Sequence, residues 1–267
     1  MSDRFDGRVA LVTGSTGMAG SAARALAAEG ARVFVASRTP AHARDLAGEI
    51  RSAGGLSGWV AADLALEGAV EAAVESCVGT FGRVDLLYSV AGISGRRYGD
   101  GPLHETTLDG WQAVLAANAT SQFLVCRSVV RRMLAQDPRP DGTRGAILLM
   151  SSALATDPAP AHFATHAYAA SKGAIDAFAR AVAAYYAPDA IRVNAIAPGL
   201  IATPMSARAQ IDPAILAYLA RKQPLAGGPI AADAITDVAL FLLSDAARMI
   251  TGQVVRVDGG WSVSEPS

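Results

Sequence analysis

The strongest constraint on this chain is a short apolar run, Arg8 to Thr13, that passes directly into Thr13-Gly14-Ser15-Thr16-Gly17-Met18-Ala19-Gly20 and then into an alanine-rich helical stretch ending near Gly30. Glycines in a turn are weak as a signal. A strand, a glycine turn and a helix in immediate succession say more. The glycines allow a tight turn, let the backbone approach a pyrophosphate, and let helix pack closely on strand. The helix then points its free N–H groups and partial positive charge at the phosphates. Gly14, Ser15, Thr16, Gly17 and Met18 are therefore the expected bed of a dinucleotide.

The rest of the chain repeats the same alternation. Strands are expected at Val33–Ala36, Leu56–Ala61, Val84–Val90, Ala146–Ser151, Ile191–Ala197 and Gln253–Val257. Helical stretches are expected to Ala53, over Leu64–Thr80, over about Leu108–Gln136 and over about His166–Tyr186, with a turn-rich loop at Asp137–Gly145. Strands alternating with helices of this length imply crossover units and a parallel sheet. With 51% apolar residues there is enough core for one doubly wound α/β domain spanning 1–267.

Charge and composition exclude several classes. The formal net charge is −1 and no long basic run occurs, which argues against nucleic-acid binding. No apolar run approaches the ~18 residues that span a bilayer, and Met1 to Arg8 is too polar for a signal peptide. A cytoplasmic protein is the expectation. Cys77 and Cys126 read as buried free thiols, and four scattered histidines give no metal site.

Two further places carry chemistry. About 20 residues beyond the last glycine, where an acid would bind the ribose 2′-hydroxyl of NAD, stand Ser37 and Arg38. A hydroxyl and a guanidinium accommodate a 2′-phosphate, so NADP(H) is favoured over NAD(H). Further on, Tyr168 and Lys172 lie four apart, on one face of a helix. A phenol titrates near 10, and a nearby ammonium with a cationic nicotinamide ring favours its phenolate. Ser151-Ser152, at the end of the preceding strand, can offer a hydroxyl to a substrate oxygen.

With these residues the chain resembles the short-chain dehydrogenase/reductase family along essentially its whole length. The matches fall in the family's order: Thr13-Gly14, Asp63-Leu64, Ala91-Gly92, Trp111 with Asn118, Ser151-Ser152, Tyr168 with Lys172, Arg192-Val-Asn-Ala-Ile-Ala-Pro198-Gly199 with Thr203-Pro204, then Ser244-Asp245, Thr251-Gly252 and Val257-Asp258-Gly259-Gly260. The resemblance implies a Rossmann-type fold with a mostly or fully parallel seven-stranded sheet. It implies that Tyr168 is the general acid in reduction and base in oxidation. Lys172 lowers its pKa and holds the nicotinamide ribose, Ser152 polarises the substrate carbonyl, and Asn118 positions a relay water. Asp63 and Leu64 would flank the adenine, Ala91 and Gly92 the ribose, and Ile201 and Thr203, beyond Pro198-Gly199, the carboxamide. A small carbonyl or alcohol is the implied substrate and a homotetramer the implied assembly, built on the apolar faces of the two long helices.

Three departures stand out. The glycine turn reads TGxxGxxG rather than TGxxxGxG, the usual Asn-Asn-Ala-Gly is Ser89-Val90-Ala91-Gly92, and Ser152 and Tyr168 lie farther apart than the family pattern has them, with Asp157-Pro158-Ala159-Pro160 in the added length. Other reactions on the same apparatus are imine or enone reduction and sugar epimerisation. A non-catalytic nucleotide-binding protein is a further reading, against which the intact Asn118, Ser152, Tyr168 and Lys172 speak. His162 and His166 read as pocket wall or surface. Arg96, Arg97 and Tyr98 read as a solvated loop within reach of an anionic substrate, and Met205, Arg208 and Tyr218 as parts of a lid.

Overall fold

In the computed structural model, which describes residues 4–264, seven strands form one parallel sheet. The strands are β1 (Val9–Thr13), β2 (Arg32–Ser37), β3 (Ser57–Ala61), β4 (Leu86–Ser89), β5 (Gly145–Met150), β6 (Ile191–Pro198) and β7 (Val254–Val257), in the order β3-β2-β1-β4-β5-β6-β7. The helices are α1 (Gly17–Ala28), α2 (Pro40–Ser52), α3 (Glu67–Phe81), α4 (Leu108–Leu115), α5 (Ser121–Ala135), α6 (His166–Tyr186), α7 (Pro213–Lys222) and α8 (Ala232–Leu243).

The central strands β1, β4 and β5 are buried at every position because both faces of the sheet are covered. In β1, Ala10 and Val12 join one core with Ala22 and Leu26 of α1 and Leu240 of α8. The alternate residues Val9 and Leu11 join the other, with Val74 of α3, Val129 of α5 and Ile175 of α6. β1 pairs with β2 on one side and with β4 on the other. The strand order therefore reverses at β1, with β2 and β3 on one side and β4 to β7 on the other, and a crevice opens beyond the carboxyl ends of β1 and β4, where ligands bind in open parallel sheets.

Some expected boundaries move. The third helix begins at Glu67 rather than Leu64, because Asp63 first makes a turn in which its Oδ1 accepts the Ala65 N–H at 3.0 Å and its carbonyl the Leu66 N–H at 3.1 Å. The long helix is interrupted by a π turn, Ala116–Thr120, centred on Asn118. It runs from Leu108 to Ala135 and is long and apolar enough to cross a membrane, yet half of its most apolar window is buried in the protein. Its outer side carries Arg127, Arg131 and Arg132, paired with Glu67, Glu71 and Glu75 of α3.

Two helices, α7 and α8, lie between Pro198-Gly199 and the last strand, where the sequence pattern leads to no expected helix. For α7 the signal was present in the sequence: Asp212 precedes Pro213, and its Oδ1 accepts the Ala214 and Ile215 N–H groups at 3.0 and 3.3 Å, an acidic cap before a proline at the first helical position. α8 packs its buried Ile235, Ala239 and Leu240 against the core shared with α1.

Candidate active site

A groove of about 300 Å³ lies at the crevice and is lined by the glycine turn, Ser37, Arg38, Asp63, Leu64, Ala91, Gly92 and Thr203. Gly14 has φ +90°, and a Cβ there would sit 3.2 Å from that of Ala19, so the turn is open only to glycine. The first-turn N–H groups of α1 receive no side-chain cap from Thr16, leaving them for an anion. Thr13, which with Gly14 opens the run of family matches in the sequence, uses its Oγ1 to accept the Val90 and Ala91 N–H groups at 2.9 and 3.2 Å. It thereby ties the end of β1 to the loop after β4. Bare glycine backbone, an uncapped helix N-terminus and a guanidinium at one end fit a dinucleotide.

The altered glycine turn has a visible consequence. Gly17 has φ +54°, and a Cβ there would lie 2.9 Å from Thr203 Cγ2. Glycine at 17 lets the segment after β6 close against the turn, while Met18 lines both the groove and the neighbouring cavity. At the far end of the groove Ser37 Oγ meets Ser15 Oγ at 2.9 Å. Arg38 is exposed, with Thr39 and His42 beside it on the groove wall.

The neighbouring cavity, about 180 Å³, brings together Ser152, Tyr168, Lys172, Pro198, Gly199, Ile201 and Thr203. Lys172 is buried (3% exposed) and donates from Nζ to the Met150 carbonyl at 2.7 Å, an oxygen that also accepts Gln122 Nε2 at 3.0 Å. Its Nζ lies 5.6 Å from the centre of the Tyr168 ring. Burial lowers the lysine pKa to about 8, with the Asp176 carboxylate one turn along α6 opposing the drop. The Tyr168 phenol moves upward. Burial raises its pKa, and a hydrogen bond with Ser152 only partly offsets this. The sequence predicts a phenol made more acidic by the lysine together with a cationic nicotinamide ring, of which the protein by itself supplies only the lysine. Here Nζ is aimed at the Met150 carbonyl, and desolvation of the phenol dominates. At neutral pH the site therefore holds a protonated phenol beside a serine hydroxyl, the arrangement needed to donate a proton.

Asn118 is fully buried beside the cavity. Its Oδ1 accepts the Ile93 N–H at 2.8 Å, and its Nδ2 donates to the Ile93 carbonyl and to Ser171 Oγ, both at 3.1 Å. The side chain thus ties the loop after β4 to α6. A Cβ on Gly92 would come within 2.7 Å of that Oδ1.

Asp100 was not foreseen. It is 4% exposed, and its two carboxylate oxygens accept the N–H groups of Ala167 and Tyr168 at 3.0 and 2.9 Å. No sequence spacing marks it, since its partners lie far along the chain. Of the residues set aside, Arg96, Met205 and Arg208 line the cavity. His166 Nδ1 instead contacts the Gly101 carbonyl at 2.8 Å, and the His162 ring rests on Tyr218 with centroids 4.8 Å apart. The added length before α6 packs inward: Ala159 joins a small core with Tyr218 and Trp261, and Trp261 donates to the Asp157 carbonyl at 3.1 Å.

The chain matches known proteins over nearly all of its length. A family model described as Enoyl-(Acyl carrier protein) reductase covers residues 12–262. D-threitol dehydrogenase of Mycolicibacterium smegmatis is 34% identical over 97% of this chain and 95% of its own. Cis-4-hydroxycyclohexanecarboxylate dehydrogenase of Sinomonas cyclohexanicum is 34% identical over 98% and 99%. A Beutenbergia cavernae protein described as an NAD(P)-dependent gluconate 5-dehydrogenase, solved with NADP at low occupancy, superposes with a TM-score of 0.87 at 34% identity over 99% of this chain and 100% of its own. Parallel sheet, glycine-lined crevice and sequence likeness agree, and the chain belongs to the short-chain dehydrogenase/reductase family of NAD(P)-binding oxidoreductases.

Proposed function

We propose that this enzyme interconverts a carbonyl and a secondary alcohol using NADP(H), with Tyr168 as general acid in reduction and general base in oxidation. The observation that carries the reading is the convergence of Ser152, Tyr168 and Lys172 on one cavity that adjoins the glycine-lined groove through Met18, Gly92 and Thr203. The cofactor supplies the hydride; the protein positions the reactants and moves the proton.

In reduction the Ser152 hydroxyl orients the carbonyl oxygen and the Tyr168 hydroxyl gives it a proton. Lys172 supplies positive charge beneath the phenol ring and, once the proton has left, stabilises the phenolate. Asn118 and Asp100 hold the loop after β4 and the start of α6 so that these groups keep their spacing. In the groove, Gly14, Ser15, Thr16, Gly17 and Met18 would cradle the pyrophosphate. Asp63 and Leu64 would flank the adenine, Ala91 and Gly92 the ribose, and Pro198, Gly199, Ile201 and Thr203 the nicotinamide end. Ser37 and Arg38 offer hydrogen bonds and charge for a 2′-phosphate where NAD-selective sites place an acid, and this supports NADP(H). The relatives' named substrates are alcohols, which supports the CH–OH chemistry.

Assembly as a homotetramer is supported by the apolar side chains that α5 and α6 leave exposed, Phe123, Leu134 and Tyr185. Free, buried thiols at Cys77 and Cys126 suit a reducing cytoplasm. The activity is tested by screening ketones, aldehydes and secondary alcohols for a change in absorbance of the reduced cofactor, with Tyr168→Phe as control. Turnover that survives this substitution would assign the proton to another group.

A further inference from the structure

The cavity beside Tyr168 is walled mainly by apolar side chains, among them Ile93, Leu154, Phe163, Met205 and Trp261. Among the described residues its charged lining is Lys172, Arg96 and Arg208, with no carboxylate; the carboxylates of Asp100, Glu105 and Asp212 line the adjoining solvent-side pocket instead. Lys172 is already engaged with the Met150 carbonyl. Arg96 and Arg208 are exposed and line both this cavity and the adjoining solvent-side pocket, so they stand where the two meet. Among the described residues Arg96 has no ion-pair partner within 4 Å, and Arg208 has only Asp212 at 3.8 Å, whose other oxygen caps α7. Neither arginine lines the groove assigned to the dinucleotide, so the cofactor's phosphates do not explain them.

We propose, on the basis of the carbonyl–alcohol reading above, that the substrate is a small carboxylate whose anionic group is held between Arg96 and Arg208. A hydrocarbon body would fill the apolar middle of the cavity, with the reacting carbon at Ser152 and Tyr168. The chemistry follows from the lining. Guanidinium groups pair with a carboxylate through parallel hydrogen bonds. The apolar middle leaves a polyol's hydroxyls without partners. The cavity holds about 180 Å³, and the nicotinamide end of the cofactor, assigned to Pro198, Gly199, Ile201 and Thr203 in its wall, would take part of it, so the body is no larger than one saturated ring. Arg96 comes from the loop after β4 and Arg208 from the segment after β6. Binding of a carboxylate would therefore draw together the two walls of the cavity.

The test is a binding measurement that requires no turnover. With cofactor present, cyclohexanecarboxylate is titrated against cyclohexanecarboxamide and cyclohexyl phosphate, read by calorimetry and checked by tryptophan fluorescence, to which Trp261 in the cavity wall contributes beside Trp59 and Trp111. The carboxylate is expected to bind about ten-fold more tightly than the amide, and the Arg96→Gln/Arg208→Gln double variant to lose that advantage. Equal affinity for acid and amide, absence of binding by either, or an advantage that survives the double variant would overturn the assignment. Tighter binding of the phosphate would overturn the carboxylate in favour of another anion. A parallel assay with 4-oxocyclohexanecarboxylate and 4-methylcyclohexanone separates the two readings. Turnover of the neutral ketone without a carboxylate advantage in binding sinks only this proposal. Tight carboxylate binding without turnover of either ketone sinks the carbonyl–alcohol reading.

Discussion

The carboxylate of Asp100 accepts the backbone N–H of Tyr168 at 2.9 Å, and its second oxygen takes the N–H of Ala167. These donors belong to the first turn of α6, where no intrahelical acceptor exists. Asp100 thus caps the helix at the residue proposed to transfer the proton. Replacing Asp100 with alanine is expected to lower stability by about 1–3 kcal/mol, the cost of leaving such donors unpaired. It should also reduce kcat more than it weakens cofactor binding. Asp100→Asn keeps one acceptor oxygen and should fall between. Thermal melts with steady-state kinetics check both, and an alanine variant with unchanged kcat would remove Asp100 from the positioning of Tyr168.

Tyr168→Phe keeps the ring over Lys172 and deletes only the hydroxyl. Turnover is expected to fall by about 10²–10⁴, the usual worth of a positioned acid or base, while cofactor affinity measured by fluorescence titration stays close to that of the native enzyme.

The pH dependence of reduction follows from Lys172. Burial holds its pKa near 8, and the Asp176 carboxylate keeps it from falling further. The ammonium is charged below that value and neutral above it, so reduction is expected to decline as pH rises through about 8. Asp176→Asn removes a charge that favours the ammonium, which lowers the lysine pKa and moves the decline to lower pH. A profile of kcat/KM against pH for both proteins decides it; a shift to higher pH would contradict the assignment.

The proposed preference for NADP(H) rests on Arg38. NADPH should bind more tightly than NADH, and Arg38→Asp should reverse the order, with NADPH losing roughly ten-fold or more as a charged hydrogen bond becomes repulsion. Tighter binding of NADH by the native protein would defeat the assignment.

Gly17 tests the altered glycine turn. Gly17→Ala places a Cβ against Thr203 Cγ2 at a residue with φ +54°. The left-handed backbone alone costs about 1–2 kcal/mol. Both stability and cofactor affinity should drop, and Thr203→Ser in the same chain should recover the part due to the methyl contact.

Local order was largely legible in the sequence. The apolar strands, the glycine turn and the helix carrying Tyr168 and Lys172 follow from periodicity and turn chemistry, because each is determined by residues a few positions apart. α6 begins and ends where the pattern placed it, at His166 and Tyr186. What depended on residues distant in the chain was not legible. Asp100 meets Tyr168, Gly17 meets Thr203, Thr13 meets Val90 and Ala91, and Arg96 and Arg208 share a cavity. The direction of the Tyr168 shift belongs to the same class. Spacing puts a lysine one turn from a phenol, but only the packed structure decides whether its charge or the loss of water governs the proton, because desolvation depends on every atom that closes around the group.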